Sequence, residues 1–200
     1  MKRLLVATTT CVVLAWVTPA RATPITYTEQ LTGTGTIGGS AFTNALVTIN
    51  LFSDTSAVSG SPGSFERNFG TATVTIFGFG TATFTDPQVW AFDNPFAGSG
   101  STPVAGISDI TASLLIADTN NVAFTTYDLR TSIGPLAGPV AFNPGALFPT
   151  TMGNFALTSV SGNTSTFSAT TSAAVPEPAT LTLITLGLTG LVTRYRRRRL

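Results

Sequence analysis

Between residues 69 and 86 the chain alternates with a period of two. Ala72, Val74, Ile76, Ala82 and Phe84 fall on even positions, while Thr71, Thr73, Thr75, Thr81, Thr83 and Thr85 fall on odd ones. Successive side chains of a strand point to opposite faces, so the pattern predicts one face in a core and one in water. The pentapeptide Phe-Gly-Thr-Ala-Thr occurs at 69–73 and again at 79–83, and the apolar parity is the same in both copies. A two-residue hairpin would switch that parity. Gly78 therefore either kinks one long strand or centres an odd-length loop.

The same pattern predicts further strands at Ile25–Gly33, Phe42–Phe52, Gln88–Phe92, Ile107–Ala117, Val122–Arg130, Phe155–Val160 and Thr164–Thr170. Asp118–Asn121 and Gly162–Asn163 read as turns between them. Ser53–Ser64 reads as a Ser/Gly/Pro loop. Ser132–Gly153, with Pro135, Pro139, Pro144 and Pro149, reads as a long loop holding short edge strands around Val140–Phe142. β-branched and aromatic residues dominate and helix formers are scarce. The expected fold is all-β: an antiparallel β-sandwich or jelly-roll-like body over residues 23–174, with helix only at the two ends.

Those ends differ from the body. Lys2 and Arg3 precede an apolar run, Leu4–Val17, closed by Ala20-Arg21-Ala22. A basic start, a short apolar helix and an A-x-A site make residues 1–22 a signal peptide, cut by signal peptidase after Ala22. Cys11, the one cysteine, lies in the apolar run, so the mature protein has no disulfide or thiol chemistry. At the other end Pro176-Glu177-Pro178 leads into the apolar run Ala179–Thr193, followed by Arg194, Arg196, Arg197, Arg198 and Arg199. As a helix the run is roughly 22 Å long, short of a hydrocarbon core of about 30 Å unless Tyr195 and the arginines snorkel. The arginines act as a cytoplasmic stop and leave the body on the far side.

These three parts, in this order, resemble the PEP-CTERM sorting signal of Gram-negative bacteria. The resemblance rests on Pro176, Glu177, Pro178, Leu181–Leu191 and Arg196–Arg199 and covers only the tail, residues 175–200. It implies that exosortase, a membrane-embedded cysteine protease-like enzyme, recognises and removes the tail. Membrane contact through the transmembrane helix Ala179–Thr193 is then transient, and the body reaches the envelope surface or the exterior. It also implies an association with exopolysaccharide-producing, biofilm-forming bacteria. The other reading of the tail is an ordinary single-pass anchor, although Thr180, Thr182, Thr185 and Thr189 weaken its hold on lipid.

Charge changes the picture once the ends are set aside. Between residues 23 and 174 Arg67 and Arg130 face Glu29, Asp54, Glu66, Asp86, Asp93, Asp109, Asp118 and Asp128, a formal charge of −6 with no lysine or histidine. Such a body repels nucleic acid. Without histidine there is no Ser-His-Asp triad and no common zinc site, and the scattered acids do not suggest a glycosidase pair. No enzyme activity, metal or cofactor is expected. The Gly33–Gly38 segment matches G-x-G-x-x-G literally, but no helix follows it. Asp118, Asn120 and Asn121 offer oxygens of the kind calcium takes, though an Asx-rich turn explains them better. Asn163-Thr164-Ser165 is a sequon by pattern. Two functions remain: a structural exported matrix protein, or a polysaccharide-binding module with Trp90 and Ser132–Gly153 as its contact region. Trp90 packed between sheets favours the first; an exposed aromatic platform favours the second.

Overall fold

The computed structural model describes residues 22–61, 63–95, 102–109 and 114–172. Ala20, Pro176–Pro178, the arginine cluster and both expected terminal helices lie outside the described residues. Ala22 is exposed and immediately precedes the first strand. Among the described residues no helix is long and apolar enough to cross a membrane.

The body is antiparallel β throughout, as the alternation predicts. Its strands are β1 (Pro24–Ile37), β2 (Ser40–Asp54), β3 (Glu66–Phe69), β4 (Thr71–Ile76), β5 (Gly80–Thr83), β6 (Val89–Asn94), β7 (Val104–Asp109), β8 (Leu114–Asn120), β9 (Ile133–Ala141), β10 (Phe148–Thr150) and β11 (Gly153–Thr171). They pair in the order β3-β6-β7-β8-β9-β11-β1-β2-β4-β5, with β10 beside β11. The sheet folds over on itself into two layers, and β9 carries the fold. Its residues Ile133–Pro139 pair with β11 in one layer, whereas Val140 and Ala141 pair with β8 in the other.

One core fills the space between the layers. It holds Ile25, Leu31, Ile49, Leu51, Val74 and Ile76 from the first layer and Val89, Ala91, Ile107 and Ile116 from the second. Every second residue of β1 from Ile25 to Ile37 is buried, so the period-two pattern and the layer interface coincide. Gly78, at φ +87°, centres a three-residue loop between β4 and β5, with Ile76 opposite Gly80. An odd loop keeps the parity. The Gly33–Gly38 motif is strand followed by the two-residue β1–β2 turn at Gly38-Gly39. A Cβ on Gly35 would lie 2.0 Å from the Ala156 carbonyl oxygen, so glycine here serves close strand approach.

Several elements depart from the sequence expectation. Ser132–Gly153 is not a long loop, since it contains β9 and β10. Pro135 and Pro139 lie in β9 and Pro149 in β10, while Pro144 lies in the turn between them. Val122–Arg130 is not a strand. Asn121 caps a 3-10 turn over Val122–Thr126, and Phe124, Tyr127 and Leu129 turn inward to close one end of the core. Ile107–Ala117 is two strands, β7 and β8, rather than one. Gly162-Asn163 does not end a strand. Both have positive φ (67° and 50°) within β11, close to the point where its register against β1 slips. Asp118 and Asn120 belong to β8, so the turn begins only at Asn121.

Candidate functional site

The site grows from β3, a four-residue edge strand paired with β6. Glu66 and Asn68 point inward and are fully buried. Arg67 and Phe69, with Phe65 just before them, therefore point outward. On β6, Trp90 lies opposite Phe69 and Phe92 opposite Arg67. The aromatic rings form a contiguous strip on the outer side of the two strands, in which Phe92 is itself buried. Phe69 stacks on Trp90 at 5.8 Å, Phe65 meets Trp90 edge-on at 5.3 Å, and Phe92 lies 6.1 Å from Trp90. Phe65 is the most open of them, at 42% exposure.

Arg67 lies across this strip. Its guanidinium carbon is 5.7 Å from the Phe69 ring and 5.6 Å from the Trp90 ring, a cation–π arrangement on both. Its Nε donates to the Ser59 hydroxyl at 3.3 Å. Phe69 also forms one wall of an open cleft of about 650 Å³, where the ends of β2 and β4 meet the segment leading into β6. Phe52, Pro87, Asp54 and Asp86 line its other sides. The outer surface thus combines apolar rings with a cation lying across them and two carboxylates in the adjoining cleft.

The inner side of the same strands is polar. Glu66 and Asp93 are directly opposed on β3 and β6, so their carboxyl groups share one buried neighbourhood. Arg130 reaches Glu66 Oε1 from its Nη1 at 2.6 Å and also donates to the carbonyls of Asp128 and Val58. Among the described residues Asp93 has no hydrogen-bond partner at either oxygen, and burial beside Glu66 and Asp128 pushes its pKa up to about 8. Burial also raises Tyr127 and Tyr27 above the ordinary tyrosine range. Tyr27 donates to the Leu129 carbonyl and accepts from Asn68, tying the two layers together. Asp128 behaves oppositely. Burial works to raise it, but the N–H groups of Arg130 and Thr131 and the Thr131 hydroxyl prevail and lower its pKa.

A second buried acid lies farther along the core. Glu29 on β1 accepts from the Thr119 hydroxyl at 2.8 Å, and Thr119 in turn contacts Ser165 at 2.7 Å. Burial pushes Glu29 up to about 8 against those two hydroxyls. Asp118 rises to about 6 for the same reason, opposed by the Ala141 N–H. Burial favours the protonated form of both, more strongly in Glu29 than in Asp118.

The other sequence candidates fall elsewhere. Asp118, Asn120 and Asn121 direct their side chains to the backbone at Ala141, Pro139, Ala137 and Ala123, the use expected of a turn-forming cluster. Asn163 is exposed at the irregularity of β11. Trp90 and Ser132–Gly153 do not form one contact region, because β7 and β8 separate β6 from β9. Trp90 is half-buried on the outer surface, not packed between the layers. Phe65, Arg67 and Phe69 carry no expectation from the sequence. Their signal is Phe-x-Arg-x-Phe at period two opposite Trp-x-Phe, legible only once β3 is paired with β6.

Comparison with known proteins identifies the tail. The PEP-CTERM protein-sorting motif matches residues 174–199. No curated protein and no solved structure matches the chain. The motif marks a PEP-CTERM sorting-domain protein, exported, with exosortase as its processing partner and the cell envelope or extracellular space as its direction.

Proposed function

We propose that the body is a structural component of the envelope surface or extracellular matrix, released there by removal of the tail, and that it holds exopolysaccharide through the strip of Phe65, Arg67, Phe69 and Trp90. The observation that carries this reading is the inverted edge strand. β3 turns its aromatic side chains to solvent and its acid and amide to the core, opposite to what burial alone would select. Pyranose rings have apolar faces that stack on aromatic rings and hydroxyls that bond to flanking polar groups, and this surface offers both. The reading is of binding rather than catalysis, supported by the inward, solvent-excluded placement of Glu66 and Asp93.

Cell fractionation with intact-mass measurement tests delivery. The mature protein should lack Leu181–Leu200 and be found outside the inner membrane; a stable full-length form retained in that membrane would favour the single-pass anchor. Affinity electrophoresis of the mature protein through gels containing the producing cells' exopolysaccharide tests binding. Retardation should be lost in Phe65→Ala and Trp90→Ala, while unretarded wild-type protein would refute the binding half of the proposal.

A further inference from the structure

We infer that the polysaccharide held by this strip is acidic, with a uronate-type carboxylate seated at Arg67. This deepens the binding reading above and rests on it. The body contains two basic residues, Arg67 and Arg130. Arg130 is committed to Glu66, and its guanidinium is spent further on the carbonyls of Asp128 and Val58. Arg67 is the cation that remains, and among the described residues no acidic side chain pairs with it. In a body of formal charge −6, whose acids would be the ready partners, such a cation is unusual.

Its position is informative as well. Among the described residues only Nε is engaged, by the neutral Ser59 hydroxyl, and the guanidinium carbon sits 5.7 Å from the Phe69 ring and 5.6 Å from the Trp90 ring. The rings thus help to hold the guanidinium over the strip, while its terminal N–H groups take no partner among the described residues. A planar fork pre-organised in this way suits a carboxylate, which can accept two parallel hydrogen bonds from it. The polar group that the strip itself offers to a ligand is the Arg67 guanidinium, which can only donate. A neutral sugar offers donors and acceptors alike, whereas a uronate places extra acceptors where this surface has only donors. The carboxylates of the adjoining cleft, Asp54 and Asp86, sit beyond Phe69. They disfavour a second acid there and orient the chain with its charged sugar toward Arg67.

The test compares one polymer in two charge states. Mature protein is run through gels containing polygalacturonate or the same polymer with its carboxyl groups reduced to alcohols, at low salt and again in 0.5 M salt (about 4 Å of Debye screening, against roughly 10 Å at 0.1 M). Wild type should bind the acidic form at least fivefold more tightly, and salt should erode that preference. Arg67→Gln should abolish the preference while leaving the melting temperature and the weak binding of the reduced polymer in place. Arg67→Lys should recover only part of it, since a point charge lacks the fork. Equal binding of both polymers by wild type, or a preference that survives in Arg67→Gln, would overturn the inference and leave the binding reading standing. If wild type bound neither polymer nor the cells' own exopolysaccharide, the binding reading would fail and this inference with it. Concentration-dependent dimerisation lost on Phe65→Ala, without glycan binding, would assign the strip to a second copy of the chain instead.

Discussion

Strands β3 and β4 are separated by one residue, Gly70, and obey the same parity with opposite chemistry. In both, even-numbered side chains face the interior. In β4 these are Ala72, Val74 and Ile76, with threonines outside; in β3 they are Glu66 and Asn68, with Phe65, Arg67 and Phe69 outside. Gly70 is where the chain passes from one layer to the other. A Cβ there would lie 2.2 Å from the Phe52 carbonyl oxygen, so the crossing requires glycine. The pairing partners explain how both strands survive. β4 lies between β2 and β5 over the apolar core, whereas β3 is an edge whose inner side meets Arg130 and Tyr27. Polar residues can therefore face inward in β3 because they are answered there, and its aromatic residues are left to the surface. Packing accounts for the first strand, while the outward residues of the second are those on which the proposed binding strip rests.

The contrast also explains what was legible beforehand. The β4–β5 hairpin could be read directly, including its odd loop at Gly78, because its apolar face is the core face. β1 and β2 were legible for the same reason, although both run longer than their alternation predicts. β3 was not. Its aromatic positions suggest the wrong buried face, and its correct one depends on Arg130, which lies 64 residues away. Val122–Arg130 misled in another way. Its apolar residues are those of a strand, but they plug the end of the sandwich from a 3-10 turn. Period-two reasoning sees parity and composition, not which partner waits across the core.

The largest expected difference lies between the two outward and inward faces. Val74→Asp would put an unpaired carboxylate in the fully buried row of β4 and should cost at least about 4 kcal/mol, leaving little folded protein. Denaturant unfolding that showed less than about 1 kcal/mol would mean that β4 does not face the core. Removing the partner of a buried acid should come next. Arg130→Met leaves Glu66 with no counter-charge and should cost about 2–3 kcal/mol, below the range for a fully buried pair because Arg130 is itself 34% exposed. Adding Glu66→Gln should restore part of the loss, and strict additivity in the double variant would argue that the pair is not coupled.

The inward acids predict an unusual pH dependence. Glu29 and Asp93 each have a folded pKa of about 8, raised from 4.5 and 3.8. The folded state therefore binds protons that the unfolded state has released. Their contribution is fully present below about pH 4 and is lost as pH rises towards 8. Between pH 5 and pH 8.5 the mature protein should lose several kcal/mol, up to about 4 kcal/mol for each group at about 1.4 kcal/mol per pH unit, opposite to the usual behaviour of paired carboxylates. Asp128, with its lowered pKa, acts in the other sense and should limit the gain only in strong acid. Glu29→Gln and Asp93→Asn should each flatten the curve. A stability that rises steadily from pH 5 to 8.5 would mean that these carboxyls are ionised and answered in the folded protein.

The smallest expected effect on stability falls on the outer face, and its smallness is what separates the two strands. Phe65 loses little on unfolding because it is already 42% exposed, and its main contact is the edge-on meeting with Trp90. Phe65→Ser should cost no more than about 1 kcal/mol, of the order measured for one aromatic pair. Trp90 supplies an optical reading of the same change. Trp16 lies within the expected signal peptide, and its removal would leave Trp90 as the one tryptophan. Uncovering its edge should red-shift its emission while circular dichroism remains that of a β protein. Adding exopolysaccharide should shift emission back in wild type and not in Phe65→Ser. A loss of several kcal/mol in this variant would show instead that the aromatic strip is a second core built on the outside of the sheet, selected for packing as β4 is.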